Sequence, residues 1–324
     1  MNLPAAVAIW VGVLLFAALY GMWLGYGGPR FAVAMIVAAG LFGFELFLAA
    51  PRVLNRAQRI LGERRGIMAP LAPLFAAIAY AIGVTTDWKA AMIGAAYAVL
   101  PTLLVATSAD RPPGTWEDYI AVLIIWLPVE FRWMYRLFPY PGPHGSGTWP
   151  LTHTLTILMA LSTGIAAFVL LRRLDGIGYA VDWKRGYSLN IIAHFVIFAA
   201  IAIPLGLKMH FLAYDPSASR LRSLPIAILG ILFFTAWPEE FLFRGLLQNL
   251  LSRTFKNQWA GLVVAAIIFG FSHILHAPFP NWKYVLLATI AGLFYGHVWI
   301  KTGSLFPAAI VHALVDISWH VLFR

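Results

Sequence analysis

Cysteine is absent from all 324 residues. Its absence excludes disulfides, thiolate metal sites and a cysteine nucleophile. Charge is scarce as well: Asp, Glu, Lys and Arg make up only 11% of the chain, against about 25% in soluble domains. So few charges cannot cover a water-facing surface, which excludes soluble, disordered and fibrous classes. Acids are the scarcer sign, 13 against 23 Lys and Arg, for a formal net charge of +10. That excess does not point to nucleic acid. The basic residues fall between apolar runs, where anionic lipid and cytoplasmic loops account for them. What is abundant is hydrophobic, 61% of the chain. The fold class implied is all-α, a polytopic transmembrane helical bundle.

A spanning helix needs about 20 mostly apolar residues. Runs near 4–26, 31–50, 69–86, 89–107, 118–138, 150–171, 188–207, 223–250, 258–276, 283–300 and 304–322 predict about eleven spans. The count is ten if the 118–138 run, interrupted by Glu130, Arg132 and Arg136, is interfacial. The first run lacks a basic lead-in and a small-residue cleavage site, so it reads as a retained helix. Arg52, Arg56, Arg59, Arg64 and Arg65 in one connection, and Arg172, Arg173, Lys184 and Arg185 in another, fall on the same side in an eleven-span count. The positive-inside rule then puts the N-terminus in the cytoplasm, and Ala-, Gly- and Arg-rich usage fits a bacterial inner membrane. Arg52, Arg56 and Arg59 recur at helical spacing opposite Val53, Ala57, Ile60 and Leu61. That pattern suits either an amphipathic helix on anionic headgroups or a solvated loop. The Pro/Gly-rich stretch 139–150 reads as a linker. It divides N-terminal helices of unassigned role (1–138), the linker with one helix (139–187), and a C-terminal core (188–324).

An ionisable group in hydrocarbon is costly and usually functional. The last four runs carry them in three places: Glu239, Glu240 and Arg244, then Phe269 and His273, then His312 and Asp316. Glu240 and Arg244, four apart, share a helix face and can neutralise one another. Glu239 is rotated about 100° from Glu240 and directed away from that pair, which makes it the candidate general base. Pro238 lacks a donor and is expected to kink the helix beside the acids. Asp316 lies one turn from His312 and can accept its N–H, fixing tautomer and orientation. A carboxylate base with two histidines suits acyl hydrolysis by an activated water, one imidazole donating to the oxyanion.

The order EExxxR, FxxxH, HxxxD/N on successive late helices resembles the CAAX protease and bacteriocin-processing family (CPBP, also called Abi). Its members are glutamate-dependent intramembrane endopeptidases related to the type II CAAX prenyl endopeptidases. The resemblance covers roughly residues 190–322. It implies catalytic roles for Glu239, His273, His312 and Asp316, with Glu240, Arg244 and Phe269 in support. It assigns Glu239 and His273 to water activation, and His312 and Asp316 to the oxyanion side. Many relatives have Asn at the position of Asp316; ionised Asp cannot donate, so Asp316 is expected to orient His312. The implied substrate is a membrane-anchored or lipidated protein or peptide within the bilayer.

No cofactor is expected. The alternative is zinc at Glu239, His273 and His312. His276, three residues after His273, and His320, four after Asp316, add to that possibility, but HExxH spacing is absent. An ion- or proton-coupled transporter would also bury acids, yet no inverted repeat is apparent. A non-enzymatic scaffold would not require the motif set. Glu130 is expected to pair with the nearby arginines, and Glu45 has no evident partner in the sequence.

Overall fold

The computed structural model describes residues 1–140 and 151–323. Most of the 139–150 linker, including His144, and Arg324 lie outside the described residues. Every regular element described is helical, and Tyr214 and Phe323 form an isolated antiparallel bridge. The chain is an integral, multi-pass membrane protein. Among the described residues eight helices are long and apolar enough to cross a membrane, or nine if one bent pair is a single span. The expected eleven is not reached for local reasons. The 118–138 run forms a helix only over Trp116–Glu130, and the 258–276 run only over Gln258–Phe271. The run at 69–86 is the second half of the pair Pro51–Met68 and Leu71–Thr85, bent by 54°. Hydropathy marks apolar content; it does not mark where the helical ladder stops.

Contacts divide the chain into two compact units, one up to residue 174 and one from 175 onward. In the first, α1 (Leu3–Trp23) and α2 (Gly28–Leu48) lead into the basic α3 (Pro51–Leu61) and the single turn α4 (Arg65–Met68). Then come α5 (Leu71–Tyr80), α6 (Trp88–Ala106), α7 (Trp116–Glu130) and α8 (Leu151–Gly164), which continues as a π-helix over Ile165–Leu171. α2 packs against α1, α5 and α8. Its buried Glu45 accepts from the Ser162 hydroxyl of α8 at 2.8 Å. Glu130 accepts from the Trp126 indole at 3.0 Å, one turn earlier, and Arg132 is close enough to attract its charge. Arg172, counted among the basic residues of a connection, is buried against Asp118. Its Nε and Nη2 donate to the two carboxylate oxygens at 3.0 and 3.2 Å, and Nη1 donates to the Ala109 and Arg111 carbonyls, each at 2.9 Å.

The second unit holds α9 (Tyr187–Lys208), the short α10 (Ala218–Arg222), a 31-residue helix Leu224–Thr254, α14 (Gln258–Phe271), α15 (Trp282–Thr302) and α16 (Leu305–Leu322). The long helix is α-helical at α11 (Leu224–Ile231), α12 (Trp237–Glu240) and α13 (Asn249–Thr254). Between them lie π-helical stretches at Leu232–Ala236 and Phe241–Gln248. Pro238, expected to kink the helix, lies within a single span. The proline cannot donate to the turn before it, and that turn is widened into π geometry. Such widened turns are frequent at functional sites. α15 is the central strut, against α9, α14 and α16. Its approach to α14 is close because both surfaces are small. A Cβ on Gly270 would run into the Thr289 hydroxyl, and one on Gly292 would lie 3.0 Å from the Ala266 Cα. Small residues set such approaches between membrane helices.

Candidate active site

All seven residues singled out in the sequence lie in the second unit, and the structure gathers most of them around His312. Glu240 is fully buried, and its Oε1 lies 3.1 Å from Arg244 Nη1. The expected i,i+4 pair is therefore present as an ion contact. Its alignment is poor: Nη1 itself has no hydrogen-bond partner, while Nη2 donates to the Gly292 carbonyl at 3.2 Å. The guanidinium is further held by two ring faces, 4.5 Å over Phe269 and 5.3 Å over Tyr295. Cation–π attraction of this kind strengthens when water is excluded.

The contact that sequence reasoning missed runs between helices. His312 Nδ1 lies 2.8 Å from the same Oε1 of Glu240. Glu240, on α12, thus holds one nitrogen of a ring carried by α16. Asp316 Oδ2 lies one turn along α16 at 3.5 Å from the other ring nitrogen, Nε2, with Glu239 Oε2 at 3.9 Å from that nitrogen. The carboxylates are thus of two kinds. Glu240 behind the ring is sealed, while the side chains of Glu239 and Asp316 in front keep about a third of their surface, 32% and 29%. Tyr295 of α15 stacks on His312 with centroids 4.5 Å apart and planes 16° apart. It too was missed: its i+3 and i+4 spacing from Ala291 and Gly292 on one helix face was the available signal.

His273 reaches the site from beyond the end of a helix. α14 ends at Phe271, and His273 follows in a turn. Phe269, at the end of α14, has its ring 5.8 Å from that of His312 and 4.9 Å from that of His273, edge-on to both. The short helix therefore ends level with the middle of α16. Non-helical backbone at such depth is tolerated where it is packed in protein or lines a cavity. Here Asn281 ties the segment down. Its backbone N–H donates to Ile274 O at 3.1 Å, its amide donates to Ala277 O at 3.2 Å, and its side-chain oxygen caps α15 at Tyr284 N. The Phe269 carbonyl lies 2.8 Å from His273 Nδ1. A carbonyl only accepts, so Nδ1 carries the hydrogen and Nε2 the lone pair. Tyr284, whose ring is 4.4 Å from that of His273 and 5.1 Å from that of His276, completes this side.

Of the remaining histidines, His276 stacks on His273 at 5.7 Å. His320 is exposed and lies 3.3 Å from the Ser223 hydroxyl. His194 and His297 bond to each other at 2.9 Å. Among the described residues no group of three or more His, Cys, Asp or Glu side chains is disposed to hold a metal ion.

This constellation of Glu239 and Glu240 on one helix, Phe269 and His273 on a second, and His312 and Asp316 on a third lies in the part of the chain that is similar to a known family. The similarity covers residues 221–318. The matching family is described as type II CAAX prenyl endopeptidase Rce1-like, which indicates a protease, and all seven residues fall within the match. Comparison with curated proteins and with solved structures gave no match.

Proposed function

We propose that this Rce1-like protein is a glutamate-dependent intramembrane endopeptidase, with residues 188–324 as its catalytic core. The observation that carries the reading is the pair of partly exposed carboxylates, Glu239 and Asp316, facing Nε2 of a histidine whose other nitrogen is held by the buried Glu240. A water between Glu239 and His273 gives its proton to Glu239, and its oxygen attacks the scissile carbonyl carbon. Nε2 of His312 donates to the oxygen that becomes negative. With Glu240 on one side and Asp316 on the other, the imidazolium form has two compensating charges, so His312 can donate from both nitrogens. The tetrahedral carbon then expels the amine as the C–N bond breaks, and Glu239 returns the proton to the leaving nitrogen. Arg244 and Phe269 keep Glu240 and the two imidazoles in place.

The family description points to a membrane-associated, prenylated protein as substrate. The surrounding bilayer is read as the bacterial inner membrane with the N-terminus cytoplasmic, which reporter fusions at both termini test. The decisive assay is cleavage of a prenylated peptide by the purified protein in liposomes. Glu239→Gln and His312→Ala are each expected to lower kcat by about 10²–10⁴-fold, the range of a lost acid–base group. Undiminished cleavage by Glu239→Gln ends the proposal. No cofactor enters these steps. Zinc at Glu239, His273 and His312 is the alternative, and a chelator titration with metal add-back separates the two: activity that falls and is restored by zinc favours the metal.

A further inference from the structure

Far along the sequence from the catalytic motifs, the first unit has an open surface pocket of about 400 Å³ lined by Asn55, Gln58, Arg59, Gly62 and Arg173, all but Gln58 exposed. That volume lies within the roughly 300–1,000 Å³ of small-ligand sites. It sits where two membrane spans end: α2 stops at Leu48, just before α3, and the span Leu151–Leu171 stops two residues before Arg173. Such a position is at the depth of lipid headgroups.

Three observations give the pocket its chemistry. First, its only charged lining groups are two guanidiniums, with the amide of Asn55 beside them. Second, one of those guanidiniums is built in place. Arg173 adopts a left-handed backbone, φ 51°, that an arginine seldom takes, and donates through Nη2 to the Gln58 carbonyl at the end of α3. Gln58 in turn donates to Val169 O at 3.0 Å, tying α3 to the end of the second span. Five N–H donors on a guanidinium leave capacity for a further acceptor. Third, the flanking helices are those of a membrane surface. Arg52, Arg56 and Arg64 are exposed, Glu63 is the one acid of the segment, and Ile60 and Ile67 expose 65% and 76% of their surface to whatever surrounds them. Basic residues beside exposed apolar ones on a helix next to a span suit the headgroup–acyl boundary.

We propose that this pocket binds the phosphate of an anionic lipid, clasped between Arg59 and Arg173. Two forks converging on one anion match phosphate geometry. The site is independent of the catalytic reading and would hold whether or not the protein cleaves peptides.

The experiment is native mass spectrometry of the detergent-purified full chain titrated with phosphatidylglycerol, with phosphatidylcholine, and with inorganic phosphate. One phosphatidylglycerol is expected to be retained in preference to phosphatidylcholine. The double variant Arg59→Gln/Arg173→Gln should lose that retention by about tenfold or more, since one charge-assisted hydrogen bond to the phosphate already accounts for about tenfold. Arg52→Gln/Arg56→Gln removes the same charge outside the pocket and should lose less than about threefold. Equal losses in the two variants would mean diffuse surface attraction and overturn the proposal. So would Arg59- and Arg173-dependent binding of inorganic phosphate without lipid preference, which assigns the pocket to the free ion. If the double variant does not fold, Arg59→Lys keeps the charge and loses the fork; unchanged phosphatidylglycerol retention by that variant would overturn the clasp.

Discussion

The two units each bury a carboxylate against an arginine, and they do it in opposite ways. In the first, Asp118 and Arg172 saturate one another. Both carboxylate oxygens take guanidinium donors, two carbonyls take the rest, and backbone N–H groups of Gly114 and Thr115 reach Asp118 at 2.8 and 3.1 Å. In the second, Glu240 shares a single oxygen between Arg244 and His312, while its Oε2 and the arginine's Nη1 have no hydrogen-bond partner. A buried pair that only has to hold a fold can complete its bonds. A buried acid that must steer an imidazole beneath two accessible carboxylates is left incomplete, and the capacity not used at rest is where charge can be redistributed during a reaction.

That contrast can be broken by experiment. The largest effect on stability is expected from Asp118→Ala, which strands the buried Arg172 and should lower unfolding free energy in detergent by about 3–5 kcal/mol; a loss below about 1 kcal/mol would mean the clasp is not structural. Glu240→Ala should cost somewhat less, about 3 kcal/mol, because its bonds are fewer, yet it should also abolish cleavage through the freed His312 ring. Glu239→Ala should cost about 1 kcal/mol or less, because its side chain keeps about a third of its surface and its charge is screened, so equal expression and unfolding of the two glutamate variants would sink the division of labour between them. Phe269→Leu is expected to cost about 1 kcal/mol and to reduce kcat while leaving KM nearly unchanged, since the ring braces both imidazoles. Ser162→Ala removes one hydrogen bond to Glu45, about 1 kcal/mol or less, with cleavage unaltered; a loss of cleavage there would erase the distinction between the units.

Much of the site was legible because the side chains are chemically out of place. Charged and imidazole groups inside apolar runs mark themselves, and helical spacing pairs Glu240 with Arg244 before any coordinates exist. The bond from His312 to Glu240 spans 72 positions and obeys no local periodicity, so only Asp316, one turn away, was visible as a partner of that ring. The π-helical stretches were equally hidden: Pro238 announces a missing donor, but not whether the helix bends or widens. Span counting went wrong where helices are short. α14 is apolar enough for a longer span, and its early end at Phe271 is what brings His273 to the level of its partners. Arg172 reads like any other loop arginine until Asp118 is seen beside it.

The widened turn at Phe241–Gln248 makes chain length itself a coordinate of the site. A π-turn holds one residue more than the α-turn it replaces, and the wide turn absorbs it. At its end Gln248 meets the Gly296 carbonyl at 3.3 Å, and just beyond it Asn249 meets the Asp175 carbonyl at 2.9 Å. A residue lost or gained in the ordinary helix that follows would rotate what lies beyond it by about 100°, whereas the wide turn is where the helix can take up a change of length.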